Sequence, residues 1–238
     1  MARDTGMGKD VGEILRGSLV YTCVAGSRAY GLAGPDSDTD LRGIYVPPAR
    51  LTWGLGDVPD HTGDPARGAD AQYWEVRHFL RMALAANPNV LECLWAGEYA
   101  CPGEAGWVGE RLRRERRIFL SARLRATYAG YARAEMGKIR DRAGDGGAIR
   151  WKHAMHLVRL LLAGIAACRG GDLLVDAGAH REELLAIRRG ERPLGEVLAR
   201  AERLGAKLEE EASRGRLPEH PDSGAAEAIL LAARRARL

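Results

Sequence analysis

The chain has 238 residues, of which only 6% are aromatic, and it shows no clustered stacking surface. Base-by-base reading of a single nucleic-acid strand is therefore not supported. Its four cysteines, Cys23, Cys93, Cys101 and Cys168, include no Cys-x-x-Cys pair, and Cys23 falls within an apolar run. Reduced, buried thiols are expected, and neither a zinc site nor a disulfide framework. The six histidines make no His-Glu-x-x-His, and no segment repeats. The run Ala143-Gly144-Asp145-Gly146-Gly147 lacks the Gly-Lys-Ser/Thr ending of a P-loop and is expected to be a flexible connection. No apolar run is long enough to span a bilayer, and the first residues lack the basic-then-apolar order of a secretory signal. Together these absences predict a cytoplasmic protein that does not meet a membrane.

What is present is a hydrophobic content of 46%, enough for one sizeable core or a small core with a helical appendage. The net charge of +4 is unevenly spread. Residues 1–103 hold 9 Lys and Arg against 13 Asp and Glu, whereas residues 104–238 hold 27 against 19. An acidic half that binds metal, facing a basic half that meets phosphate, suits a nucleotide-handling site, although many of these arginines also suit a solvated helical surface.

One stretch concentrates the chemistry. The β-rich run 19–25 leads into Gly26-Ser27-Arg28-Ala29-Tyr30-Gly31, and after Pro35-Asp36-Ser37 come Asp38, Thr39 and Asp40 ahead of a second apolar run, 41–46. If 38–40 begin a strand, Asp38 and Asp40 point the same way and Thr39 the other. Two carboxylates so close repel unless a cation lies between them, and magnesium, a hard ion that leaves room for phosphate oxygens, is the natural occupant. Gly26 and Ser27 fall at the turn before a short helix, where backbone N–H groups and a hydroxyl can approach a phosphate. A third carboxylate has two candidates, Asp70 and Glu75. Apolar spacing through Val76, Phe79, Leu80, Ala83 and Leu84 predicts a helix starting near Trp74 or Glu75. Glu75 then suits a first-turn position with no chemical role, and Asp70, on the strand before it, is favoured.

Farther on, Asn87-Pro88-Asn89 is expected to stop that helix, 90–95 to form a strand or helical turn, and Cys101-Pro102-Gly103 to mark a boundary. From Glu104 the pattern is helical. Arg111 to Arg117 carries five arginines, and Lys152, His156 and Arg159 stand at i, i+4 and i+7 on one helix face, with Leu157, Leu160 and Leu161 facing inward. That stripe reads equally well as a triphosphate clamp or as an ordinary surface stripe with a half-buried histidine. Residues 1–10 are expected to fray, 11–16 to form a short helix, and 47–68 to form a long loop.

At 26–31, 37–44 and 79–92 the chain resembles the RNA-ligase-associated (RlaP-like) family of nucleotidyltransferases, within the superfamily typified by DNA polymerase beta. The resemblance covers most of residues 19–96 and is looser beyond. It implies an α/β (α+β) fold: a minimal polymerase-beta-like domain with a mixed sheet over 1–103, then an all-α region over 104–238 that completes the nucleotide and acceptor site. It implies transfer of a nucleoside monophosphate from an NTP to a hydroxyl, an RNA end in repair being the acceptor its name suggests. Two Mg2+ or Mn2+ ions would be held by Asp38, Asp40 and Asp70. The nucleotide would be held by Gly26, Ser27, Arg28, Lys152, His156 and Arg159, the family's Lys…His…Arg helix favouring the clamp reading of the last three. An RNA ligase or other repair protein is the implied partner. The rival reading is a non-catalytic nucleotide- or partner-binding module, as in a toxin–antitoxin or ligase complex.

Overall fold

A computed structural model of the chain describes residues 15, 17–55, 57–63, 70–144 and 147–238. The helix expected over 11–16 lies outside these residues apart from Leu15, as do the expected frayed terminus, part of the 47–68 loop, and Asp145 and Gly146. The apolar run at 19–25 forms β1 (Leu19–Ala25), followed by a single helical turn, α1 (Gly26–Ala29). The chain returns as β2 (Asp40–Tyr45), antiparallel to β1, with Ala25 opposite Asp40. The 47–68 segment is less loop-like than expected, since it contains α2 (Ala49–Trp53) and β3 (His61–Gly63).

β4 (Ala71–Glu75) then lies parallel to β2, with Leu41 opposite Ala71 and Arg42 opposite Gln72. With β5 (Tyr99–Ala100) the sheet runs β3-β4-β2-β1-β5, a mixed five-stranded layer. Its alternation separates two cores. Tyr21, Cys23, Ile44 and Trp74 join the main one, while Tyr45, Ala71 and Tyr73 pack with Leu15 in a smaller cluster.

α3 (Val76–Leu84) begins one residue after β4, because Glu75 caps it: Glu75 Oε2 accepts from the backbone N–H groups of Arg77 and His78 at 2.8 and 3.2 Å. The expected helix stop at Asn87 is a correction in sense. Asn87 Oδ1 accepts from Asn89 N, and with Pro88 in the first turn it starts α4 (Pro88–Trp95), so 90–95 is helix and not strand. α3 ends earlier, at Leu84, and the turn passes through Ala86 at a positive φ of 56°.

The second half is helical, as expected, in α5 (Trp107–Arg114), α6 (Arg123–Gly144), α7 (Trp151–Gly170), α8 (Arg181–Arg188), α9 (Leu194–Ser213) and α10 (Ser223–Arg235). α7 is the hub, packed by α6, α8 and α9 and buried along most of its length. One hydrophobic core runs from Val20 to Ala233 without a break at residue 103, the point where sheet gives way to helices. α10 returns to the first half and packs on α3 and α5. There Arg234 Nη2 donates to Glu75 Oε1 at 2.6 Å, and Ala49 N donates to the carbonyl of Arg237.

With side chains only 11% and 6% exposed, the Arg234–Glu75 pair is nearly dry. Removing one partner strands the other, so Arg234→Ala is expected to lower the unfolding free energy by about 3 kcal/mol, and Arg235→Ala, on the exposed side of the same helix, by less than about 0.5 kcal/mol. Urea titration of both variants checks this, and equal losses would show that α10 is not anchored through Glu75.

Candidate active site

The site is built at the end of β1 and the start of β2. Gly26 takes a left-handed backbone conformation, φ 62°, and a side-chain carbon placed there would stand 1.8 Å from Asp40 Oδ2. The carboxylate of Asp40 therefore rests against the bare α-carbon of Gly26, which ties the glycine to the acid chemically as well as in sequence. Asp40 is half-buried and Asp38, in the loop before β2, is exposed. That loop is held from below: Arg28 Nη2 donates to Ser37 O at 2.7 Å, and Gly34 N donates to Ser37 Oγ at 2.9 Å. Arg28 is thus engaged with its own loop. The Ser27 hydroxyl has no hydrogen-bond partner among the described residues.

β4 brings Asp70 alongside. Leu41 N donates to Asp70 O, so Asp70, an exposed turn residue, lies directly before β4 and beside the start of β2. Glu75 stands at the far end of the same strand, about 17 Å away at the usual rise, with both carboxylate oxygens already taken. Glu75 is thus committed to capping α3 and to Arg234. Yet among the described residues no three His, Cys, Asp or Glu side chains converge closely enough to hold a metal ion. The three-acid cluster expected from sequence is not drawn together here. The cation nearest Asp40 is one that sequence reasoning missed: Arg42 Nη2 lies 3.6 Å from Asp40 Oδ1, while its Nη1 donates to the carbonyls of Leu41 and Asp70. The signal was available, since period-two alternation puts residue 42 on the same face as residue 40.

The basic stripe on α7 divides. Lys152 is exposed at the helix start, with no ion-pair partner among the described residues. Arg159 corrects the expectation of an outward phosphate clamp. Only 8% of its side chain is exposed, and Nη1 donates to Glu92 Oε1 at 2.8 Å. The guanidinium lies 3.7 Å from the centre of the Tyr30 ring, and Tyr30 OH donates to Glu92 Oε2 at 2.8 Å. Burial beside the Glu92 carboxylate raises the Tyr30 hydroxyl pKa, keeping it a neutral donor. Arg159 and Glu92 thus hold the residue that follows α1 in place. The adjoining turn is strapped by the helical half, with Ala177 N on Tyr30 O, Arg181 Nε on Gly31 O and Arg188 Nη1 on Leu32 O, all at 2.9–3.0 Å.

Between the sheet face, α1 and the α3–α4 junction opens a cleft of about 310 Å3, lined by Gly26, Arg42, Gln72, Asn87, Asn89 and Glu92 among others. A strand, a glycine-led helical turn, an Asp-x-Asp run and an antiparallel return strand, with a parallel neighbour alongside, together have the layout of a polymerase-beta-type nucleotidyltransferase core. The chain belongs to the RlaP family, described as an RNA repair pathway DNA polymerase beta family, whose profile matches residues 9–231. It is similar to the uncharacterized protein YcgL of Bacillus subtilis (strain 168), 35% identical over 99 residues. It is also similar to an uncharacterized 38.9 kDa protein in the nrdC-mobD intergenic region of Enterobacteria phage T4, 26% identical over 123 residues. These alignments take in 41% and 48% of this chain but only 37% and 36% of the relatives. No solved structure matches.

His156 meets the Tyr30 ring edge-on, with ring centroids 6.1 Å apart. Burial, then the charges of Arg159, Lys152 and His153, push its pKa from 6.5 down to about 4, against a smaller opposing pull from Glu135. Between those values the unfolded chain binds a proton that the folded one refuses. Neutral His156 therefore supports stability fully above pH 6.5, and that support is lost as pH falls toward 4. His156→Gln is expected to flatten this part of the stability profile by on the order of 1–3 kcal/mol. Chemical denaturation at several pH values measures it, and an unaltered slope would mean that His156 is not held neutral by the Tyr30–Arg159 environment.

Proposed function

We propose that the protein is a metal-dependent nucleotidyltransferase that moves a nucleoside monophosphate from an NTP to a hydroxyl acceptor, an RNA end in repair. The observation that carries this reading is the seating of the Asp40 carboxylate on the bare α-carbon of Gly26, which joins the two halves of the family signature in one place. The donor chemistry suits magnesium or manganese: Asp38 and Asp40 are hard oxygen ligands two residues apart, and Asp70, at the turn before β4, would have to be drawn toward them by the ions, since the three do not converge here. When bound, two such ions supply charge neutralisation at the attacking and leaving oxygens and ease loss of the acceptor proton.

The chain's own groups do the rest. Gly26 and the free hydroxyl of Ser27 receive the β and γ phosphates at the turn after β1, and exposed Lys152 contributes a point charge. The acceptor oxygen forms a bond to the α-phosphorus as the bond from that phosphorus to the bridging oxygen breaks, and pyrophosphate leaves. Asp70 takes the acceptor's proton. The basic helical half, net +8 by sequence, supplies a favourable field for a polyanionic acceptor.

The second reading, a nucleotide-binding module without turnover, or one that docks a ligase or other partner, draws on the Arg42 guanidinium beside Asp40, which occupies part of the space a cation would use. Turnover separates the two. With labelled NTPs, Mg2+ or Mn2+ and RNA, the enzyme releases pyrophosphate, and Asp38→Ala or Asp40→Ala reduces that release at least about 100-fold with melting behaviour unchanged. Tight NTP binding without turnover under any acceptor would favour the module.

Lys152→Ala is expected to raise the NTP KM about 10-fold while kcat moves less than about 3-fold, since a phosphate contact acts mostly on ground-state binding. An unchanged KM removes Lys152 from the site.

A further inference from the structure

The cleft beside Asp40 carries a feature that the transfer chemistry does not use. Two of its polar side chains, the carboxamides of Gln72 and Asn89, have no hydrogen-bond partner among the described residues. Gln72 lies opposite Arg42 in the β2–β4 register, on the same sheet face as the acids. Asn89 stands in the first turn of α4, across the cleft. Met82, Val90 and Val175 give the cleft apolar surface, and Asn87, which also lines it, has its Oδ1 taken by Asn89 N. The cleft volume of about 310 Å3 is at the small end of the roughly 300–1,000 Å3 usual for small-molecule sites, room for one base and its sugar.

Building on the nucleotidyltransferase reading, we propose that this cleft is the nucleobase pocket and that Gln72 and Asn89 select adenine, making ATP the preferred donor. A carboxamide offers one donor and one acceptor side by side, the complement of the N6 amino group and N7 of adenine. The corresponding edge of guanine presents two acceptors and asks for two donors, which an arginine supplies best. Arg42 is the one arginine lining the cleft among the described residues, and its Nη1 is committed to the carbonyls of Leu41 and Asp70 while Nη2 faces Asp40. The apolar walls give a purine more contact than a pyrimidine. Glu92 also lines the cleft, but its oxygens are taken by Arg159 and Tyr30, so it adds no reading of its own.

The test is equilibrium binding of ATP, GTP, CTP, UTP and inorganic tripolyphosphate to the full chain with Mg2+, for the unaltered protein and for Gln72→Ala and Asn89→Ala. ATP is expected to bind at least about 10-fold more tightly than GTP, the scale of one well-made polar recognition pair. Each substitution should weaken ATP about 3- to 10-fold and leave tripolyphosphate unchanged, narrowing the gap between ATP and GTP. Circular dichroism and melting should match the unaltered protein. Equal affinity for all four nucleotides, a preference for another base, or loss of tripolyphosphate in step with ATP overturns the base assignment while leaving a triphosphate site standing. Failure of every nucleotide and of tripolyphosphate to bind removes the nucleotidyltransferase reading itself, and this proposal with it.

Discussion

The seating of the turn after β1 against the helical half rests on one buried ion pair, Arg159 with Glu92, and on the tyrosine it clasps. Glu92 belongs to α4 beneath the sheet and Arg159 to α7, the hub of the helical half. Neither would tolerate its dry position alone, because an unpaired charge there costs several kcal/mol. The pair makes separating the two halves costly. By accepting the Tyr30 hydroxyl and stacking the Tyr30 ring, it also fixes where the turn after Gly26 and Ser27 must lie. Precision at the acid end of the sheet is thus secured from a helix more than a hundred residues away in sequence.

A second constraint acts from the opposite end of β4. Glu75 ends the strand, caps the next helix and takes Arg234 from the last one, so three elements converge on one carboxylate. The same residue closes the β2–β4 register, opposite Tyr45. Two acidic residues that look interchangeable in the sequence therefore differ in the structure: Glu75 is buried and fully engaged, and Asp70 is exposed at the turn before the strand.

Much of this was legible from residues alone, and the failures have physical causes. The run 19–25, Gly26-Ser27 and Asp38-x-Asp40 announced themselves because strand alternation and turn chemistry are local, and the structure shows strand, turn and strand in that order. Asn87-Pro88 carried the wrong sign: the same pair can stop one helix or begin the next, and only the Asn87 bond to Asn89 N decides. The stripe Lys152, His156, Arg159 was placed correctly on one face, but helical periodicity cannot say how deep a face lies. Tyr30 and Glu92 cover its later turns and leave Lys152 in solvent. Arg42 follows from the same alternation rule, which puts it on the face of Asp40, but its ion pair depends on a side-chain rotamer that spacing does not fix.

The sheet's outermost strands are very short, two residues in β5 and three in β3, whereas β1 and β2 at its middle run to seven and six. So little unpaired backbone at the margins offers a poor template for a foreign strand, which discourages edge-to-edge polymerisation. Among the described residues, an added strand could match only the two or three positions of these terminal strands.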